Sequence, residues 1–121
     1  MPDTSAEHRL IEATVRRYFA ARSQLDLAAV QAVYPGVPAQ RERDQFRLLE
    51  GSCSEFSEQP LGVDVLRLAG ATATVQARVQ TTCRPRAGRS VPPRTVDIMV
   101  TLEKAADTYK ITQVNRPDQA K

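Results

Sequence analysis

Few side chains in this chain could do chemistry. Histidine occurs once, as His8, so any Ser/His/Asp set would have to run through it. His8 stands near a helix start and reads as exposed. There is no Gly-rich phosphate loop. The two cysteines, Cys53 and Cys83, have neither CxxC nor Cys/His spacing. A structural zinc ion takes about four such ligands, so no metal or cofactor is expected. Reactive-thiol chemistry lacks a neighbouring base. A Cys53–Cys83 disulfide remains open and would imply an oxidising compartment; two buried free thiols are the alternative. Arg84, Arg86, Arg89 and Arg94 crowd one Pro- and Gly-rich segment. They could contact an anion. With no aromatic residue among them to stack a base, a solvated hairpin loop is the plainer expectation, and no nucleic-acid partner is expected.

The chain that must position these groups has 121 residues, with 41% apolar and 26% charged, and a net charge of +3. That is one domain, 1–121, with flexible ends expected at 1–4 and 116–121. No apolar run approaches the ~20 residues of a membrane helix, so no membrane insertion of this segment is expected. The N-terminus lacks the apolar core of a signal peptide. The segment is therefore either cytosolic or cut from a longer, exported or anchored chain.

Thr4 and Glu7 fit a capping box. Ile11, Val15, Tyr18, Phe19 and Arg22 then recur at helical spacing, which predicts a helix over 5–23. Asp26 caps a second helix with a stripe of Leu27, Val30 and Tyr34, closed by Pro35-Gly36. Pro38 opens a third, strongly polar helix over 39–50, anchored by Phe46, Leu48 and Leu49 and stopped by Gly51. It should lie on the surface.

Past Gly51 the period becomes two. Ala71 to Cys83 alternate over a long half-buried strand, and Val96 to Leu102 repeat the pattern. Val63 and Val65 mark an earlier strand, and Tyr109, Ile111 and Val114 a last one. Turns fall at Ala69-Gly70, at 84–94 and at Lys104 to Asp107, which makes an antiparallel meander. The fold class is α+β, with helices on one face of a curved antiparallel sheet. The polar residues from Asn115 onward read as frayed. Cys83 continues the inward set of Val79 and Thr81, and Cys53 shares the parity of Val63 and Val65. A simple hairpin about Gly70 leaves Cys53 about four positions beyond the partner of Cys83, at ~3.3 Å each, too far to bond. A bulge or break at Gln59-Pro60 could close that gap, because Pro interrupts a ladder.

The segments Val15-Arg16-Arg17-Tyr18-Phe19-Ala20-Ala21 and Leu25-Asp26-Leu27 through Tyr34 resemble the nuclear transport factor 2-like superfamily, which includes ketosteroid isomerases and polyketide cyclase-like proteins. Gly70 to Val75 resembles its turn into a long strand, and Thr108 to Thr112 its last strand, with Tyr109 where a Trp is common. The resemblance implies a cone-shaped fold with a pocket at its wide end. Phe19, Tyr34, Phe46, Val79, Val100 and Tyr109, with Tyr18, are the residues expected to line it. The isomerase branch pairs a first-helix Tyr, matched by Tyr18, with an Asp base and a protonated Asp on a strand. The base does not carry over, because Pro35-Gly36-Val37-Pro38 stands in its place. Asp97 alternates away from the core. The resemblance thus implies a non-catalytic module, binding a small apolar molecule or a protein segment, with pairing of two copies through the sheet as a further expectation. It also resembles accessory domains at the ends of larger bacterial proteins. An enzyme using Tyr18, and an interaction domain without a pocket, are the alternatives.

Overall fold

The computed structural model describes residues 5–116. Thr4 of the expected capping box, and the expected flexible ends at 1–4 and 116–121 apart from Arg116, lie outside them. Helix α1 spans Ser5–Ser23, α2 Leu27–Val33 and α3 Ala39–Ser52; strands β1 Cys53–Ala69, β2 Thr72–Pro85, β3 Arg94–Ala105 and β4 Thr108–Asn115 follow. The strands form one antiparallel sheet in the order β1-β2-β3-β4. Its inner face presents Ala73, Val75, Ala77 and Val79 from β2 and Ile98, Val100 and Leu102 from β3, all buried. They pack against Ile11, Val15, Tyr18 and Phe19 of α1. The outer face is polar; Asp97 lies there beside Arg78, as its place in the alternation requires. Among the described residues no helix is long and apolar enough to cross a membrane.

The α1–α2 corner is built from local bonds. Asp26 N–H donates to Ala21 O and Leu25 N–H to Arg22 O, which leaves Leu25 at φ 54° in the left-handed region. Asp26 then caps α2, its carboxylate accepting from Ala29 N–H at 3.2 Å. Asp26→Ala is expected to cost about 1 kcal/mol of unfolding free energy by urea titration. No measurable loss would show that water serves Ala29 equally well.

Three expectations need correction. Gly51 does not stop α3, which runs to Ser52 and is capped by Cys53 N–H bonding Leu49 O. Gly51 takes an ordinary helical turn, so its freedom to go left-handed is unused. Nor is α3 a surface helix throughout. Leu48 is exposed, while Glu42 and Phe46, one turn apart, face inward. Finally β1 is far longer than Val63 and Val65 indicated. Its pairing with β2 shifts at three places, between Cys53 and Glu55, Pro60 and Gly62, and Val65 and Arg67. Bulges reset side-chain parity, which erases the alternation a strand would otherwise show. The residues skipped at two of them, Leu61 and Leu66, are exposed. Pro60 is tolerated because β1 is an edge strand.

Candidate functional site

The last turn of α1 carries Arg22 into the interior, one turn after Tyr18 on the same apolar stripe. Ser23 stitches this turn to β1: Glu58 N–H donates to Ser23 Oγ at 2.8 Å, and Ser23 Oγ–H donates to Phe19 O at 2.9 Å. Glu58 is thereby set against the helix end. The first turn of α3 brings Glu42 from another side, and Arg116 arrives just after β4.

These groups form one buried ionic cluster. Arg22 Nε donates to Glu58 Oε1 at 2.7 Å, and Arg22 Nη1 lies 2.7 Å from Glu42 Oε1. Arg116 Nη1 donates to Glu58 Oε2 at 2.8 Å, and its Nη2 donates to Glu58 Oε1 at 3.1 Å and to the Tyr18 hydroxyl at 2.9 Å. Aromatic rings wall the cluster. The Arg22 guanidinium lies 5.4 Å from the Phe46 centroid, and that of Arg116 lies 5.7 Å from Tyr18 and 5.9 Å from Phe19. Tyr34 stands edge-on to Tyr18 at 6.2 Å. Such distances are those of cation–π contacts.

Electrostatics keep the cluster charged. Burial opposes ionisation of Glu58, but the charges of Arg116 and Arg22 and their hydrogen bonds outweigh it and hold the carboxyl below its usual range. Burial likewise opposes the two guanidiniums, and Glu58 keeps both above the ordinary arginine value. Tyr18 is pushed up, chiefly by burial. Glu58 is therefore no free base: it is ionised and fully engaged, and the Tyr18 oxygen accepts from Arg116. Glu42 meets Arg22 through Oε1, while its buried Oε2 has no hydrogen bond among the described residues. The space left beside Tyr18, Tyr34, Val37, Glu42 and Arg116 is a cavity of about 20 Å³, room for one water-sized group.

The residues expected to line a pocket are placed as follows. Tyr18, Phe19, Tyr34 and Phe46 do come together, but around side chains of this same chain. Val79 and Val100 are fully buried in the core. Tyr109 points elsewhere: its hydroxyl donates to Glu7 Oε2 at 2.6 Å, beside Lys104, which donates to the same carboxylate at 2.9 Å. Glu7 lies eleven residues before Tyr18, ~16 Å along α1. The Tyr109 and Lys104 bonds hold Glu7 below the usual carboxylate range. Burial and then Glu7 push Tyr109 up to about 12.

Of the loop arginines, Arg86 donates to Glu50 O at 2.9 Å and so satisfies an end carbonyl of α3. Arg84 lies 3.7 Å from Glu55 with both side chains exposed. Arg89 is exposed, and Arg94 opens β3. Cys53 and Cys83 are joined in a disulfide. Among the described residues no group of three or more His, Cys, Asp or Glu is placed to hold a metal ion.

The residues that define the cluster were hard to single out from sequence. Arg22 carried a signal, as a charge at a buried helical position. Glu42 was hidden in a polar helix and Glu58 in a strand without alternation. Asn115 and Arg116 fall in the polar stretch that reads as frayed; instead Asn115 ends β4 and Arg116 is held by the ion pairs above.

No family model matches the chain, and no curated protein matches it. Solved structures do. A candidate aromatic ring hydroxylase from Novosphingobium aromaticivorans superposes with a TM-score of 0.76 at 18% identity, over 91% of this chain and 87% of that one. A candidate dehydratase of the NTF2-like family from Streptomyces avermitilis gives 0.68 at 10%, over 93% and 96%. A ketosteroid isomerase-like protein from Erwinia carotovora atroseptica gives 0.65 at 20%, over 92% and 95%. At these identities the likeness is one of fold.

Proposed function

We propose that this chain, which has the nuclear transport factor 2-like fold, is a non-catalytic binding module whose partner is a protein segment rather than a small apolar molecule. The observation that supports this reading is the ionic cluster inside the cone. A proton-transfer enzyme needs a base or acid within about 3 Å of its substrate. Here the interior carboxylate Glu58 is engaged by two guanidiniums and Glu42 is paired with Arg22, and a cavity of about 20 Å³ beside them admits no apolar ligand of ordinary size. An accessory role in a larger bacterial protein, with pairing through the polar outer face of the sheet, fits the same reading. The formed Cys53–Cys83 bridge favours an oxidising setting for it.

The rival reading is an isomerase- or dehydratase-like enzyme using Tyr18. It is favoured by the descriptions of the structural neighbours and by the position of Tyr18 on α1. The discriminating experiment is turnover of a steroid-like enone by the wild type and by Tyr18→Phe. The expected result is no rate above the uncatalysed one in either, with no thermal shift on adding the enone. Turnover by the wild type that disappears in Tyr18→Phe would overturn the binding reading.

A further inference from the structure

The two interior arginines are held differently. Arg22 is fixed by its helix, with Ser23 tying the next position to β1. Arg116 belongs to no helix or strand. Yet its guanidinium is held as fully as that of Arg22, which meets Glu58, Glu42 and Gln45. One edge of Arg116 spans both oxygens of Glu58, at 2.8 and 3.1 Å, and Nη2 also reaches the Tyr18 hydroxyl at 2.9 Å. The rings of Tyr18 and Phe19 lie at 5.7 and 5.9 Å. This is what recognises a planar, delocalised cation with a fork of donors, and a point-charge ammonium cannot match it. Every one of these partners is supplied by α1 or β1, none by the strand that delivers Arg116. Beside them, Glu42 lines the same small cavity, and its Oε2 is buried without a hydrogen bond among the described residues. Withdrawing Arg116 would leave Glu42 and Glu58 with Arg22 as the one buried cation among the described residues, and the exposed Arg41 at the rim of the same cavity.

We infer that the interior of the cone is a guanidinium-binding site that the chain fills with its own Arg116, and that the ligand class it takes when Arg116 is withdrawn is an arginine side chain of a protein segment. This inference rests on the binding reading above and names the chemistry of the partner.

The test is chemical rescue of Arg116→Ala. Thermal unfolding is followed while guanidinium chloride is added up to 20 mM, a concentration of order far below the denaturing range of molar guanidinium. Equal concentrations of potassium chloride, ammonium chloride and urea serve as controls for ionic strength, point charge and planar shape. Guanidinium is expected to raise the melting temperature with half-saturation on the order of 1 mM. At ten times that concentration the rise should be about 5 °C. The controls should leave it flat, and the wild type should not respond. N-acetyl-arginine amide should reproduce the rescue. Adding Tyr18→Phe to Arg116→Ala should raise the half-saturating concentration about threefold to tenfold, the loss of one hydrogen bond.

If Arg116→Ala does not fold unaided, the same titration is read as refolding yield, with the same ranking of additives expected. Guanidinium no better than ammonium or potassium, in either readout, overturns the inference. A guanidinium rescue that N-acetyl-arginine amide fails to reproduce overturns its arginine part. The outcome is separable from the binding reading. A flat guanidinium titration leaves that reading standing, whereas enone turnover lost in Tyr18→Phe would end it whatever guanidinium does.

Discussion

Glu58→Gln is expected to lower the unfolding free energy by about 3–5 kcal/mol, the usual cost of removing one partner from a buried ion pair. Gln keeps the size of Glu, so the change isolates charge from packing. What it leaves is the reason for the loss. The side chains of Arg22 and Arg116 are 1% and 11% exposed, and each has Glu58 as its nearest charged partner or an equal one. Two cations would then remain in a site of low dielectric with only Glu42 to balance them. Against a total stability of about 5–15 kcal/mol this is a large share. The check is urea unfolding at neutral pH, with a shift of midpoint at constant slope. A loss under about 1 kcal/mol, the size of an exposed pair, would mean that water reaches the cluster and relaxes it.

The same carboxylate gives the effect a pH dependence of known sign. Glu58 has its folded pKa below the ordinary carboxylate value. Its contribution is therefore fully present above that value and is lost as pH falls through the folded pKa. Glu7 is lowered too and works in the same direction from the surface end of α1. Wild-type stability should thus be level from neutrality down to about pH 5 and fall below it. Glu58→Gln has nothing to protonate at this position. The gap between the two proteins should narrow as the solution is acidified. A gap that stays constant to pH 3 would show that the charge on Glu58 is not what the arginines need.

How much of this was legible in the sequence depends on whether a residue repeats a pattern. The stripe of Ile11, Val15, Tyr18 and Phe19 gives α1 because each buried position is reinforced by the next turn. Ala73 to Val79 give β2 for the corresponding reason at period two. The α+β class and the cone follow from these elements and from the resemblance that begins at Val15. The first half of β1 has no such redundancy. Its register shifts move the inward parity, so Cys53 and Glu58, both buried, stand an odd number of positions apart. Glu58 and Arg116 become meaningful only through each other, fifty-eight residues apart in sequence, and neither is apolar. Arg22 was the exception, visible as a charge on a buried stripe, and a charge there demands a buried partner. The partner's identity needed the fold.

Reducing the Cys53–Cys83 bridge is expected to cost about 3–4 kcal/mol, from the chain entropy released when a loop of that length opens in the unfolded state. From sequence, a bulge or break at Gln59-Pro60 is what would bring the two together if they bond. The structure uses three register shifts. Those at Val65/Arg67 and Pro60/Gly62 carry the partner of Cys83 to Phe56, and that at Cys53/Glu55 completes the approach, leaving the two Cα atoms 5.4 Å apart. Cys53 is also the C-cap of α3, so the bridge pins the joint between the helix of Glu42 and the strand of Glu58. Two roles are then distinguishable. If the bridge acts through the unfolded chain, Cys53→Ser/Cys83→Ser should lose the same amount in the wild type and in Glu58→Gln, additive within about 0.5 kcal/mol. If it orients Glu58 toward the arginines, the two losses overlap, and the combined variant loses at least about 1 kcal/mol less than the sum. Additivity is the expected result, because Ser23 Oγ already fixes the Glu58 backbone independently of the bridge. A shortfall would move the disulfide from a staple of the chain to a support of the interior site.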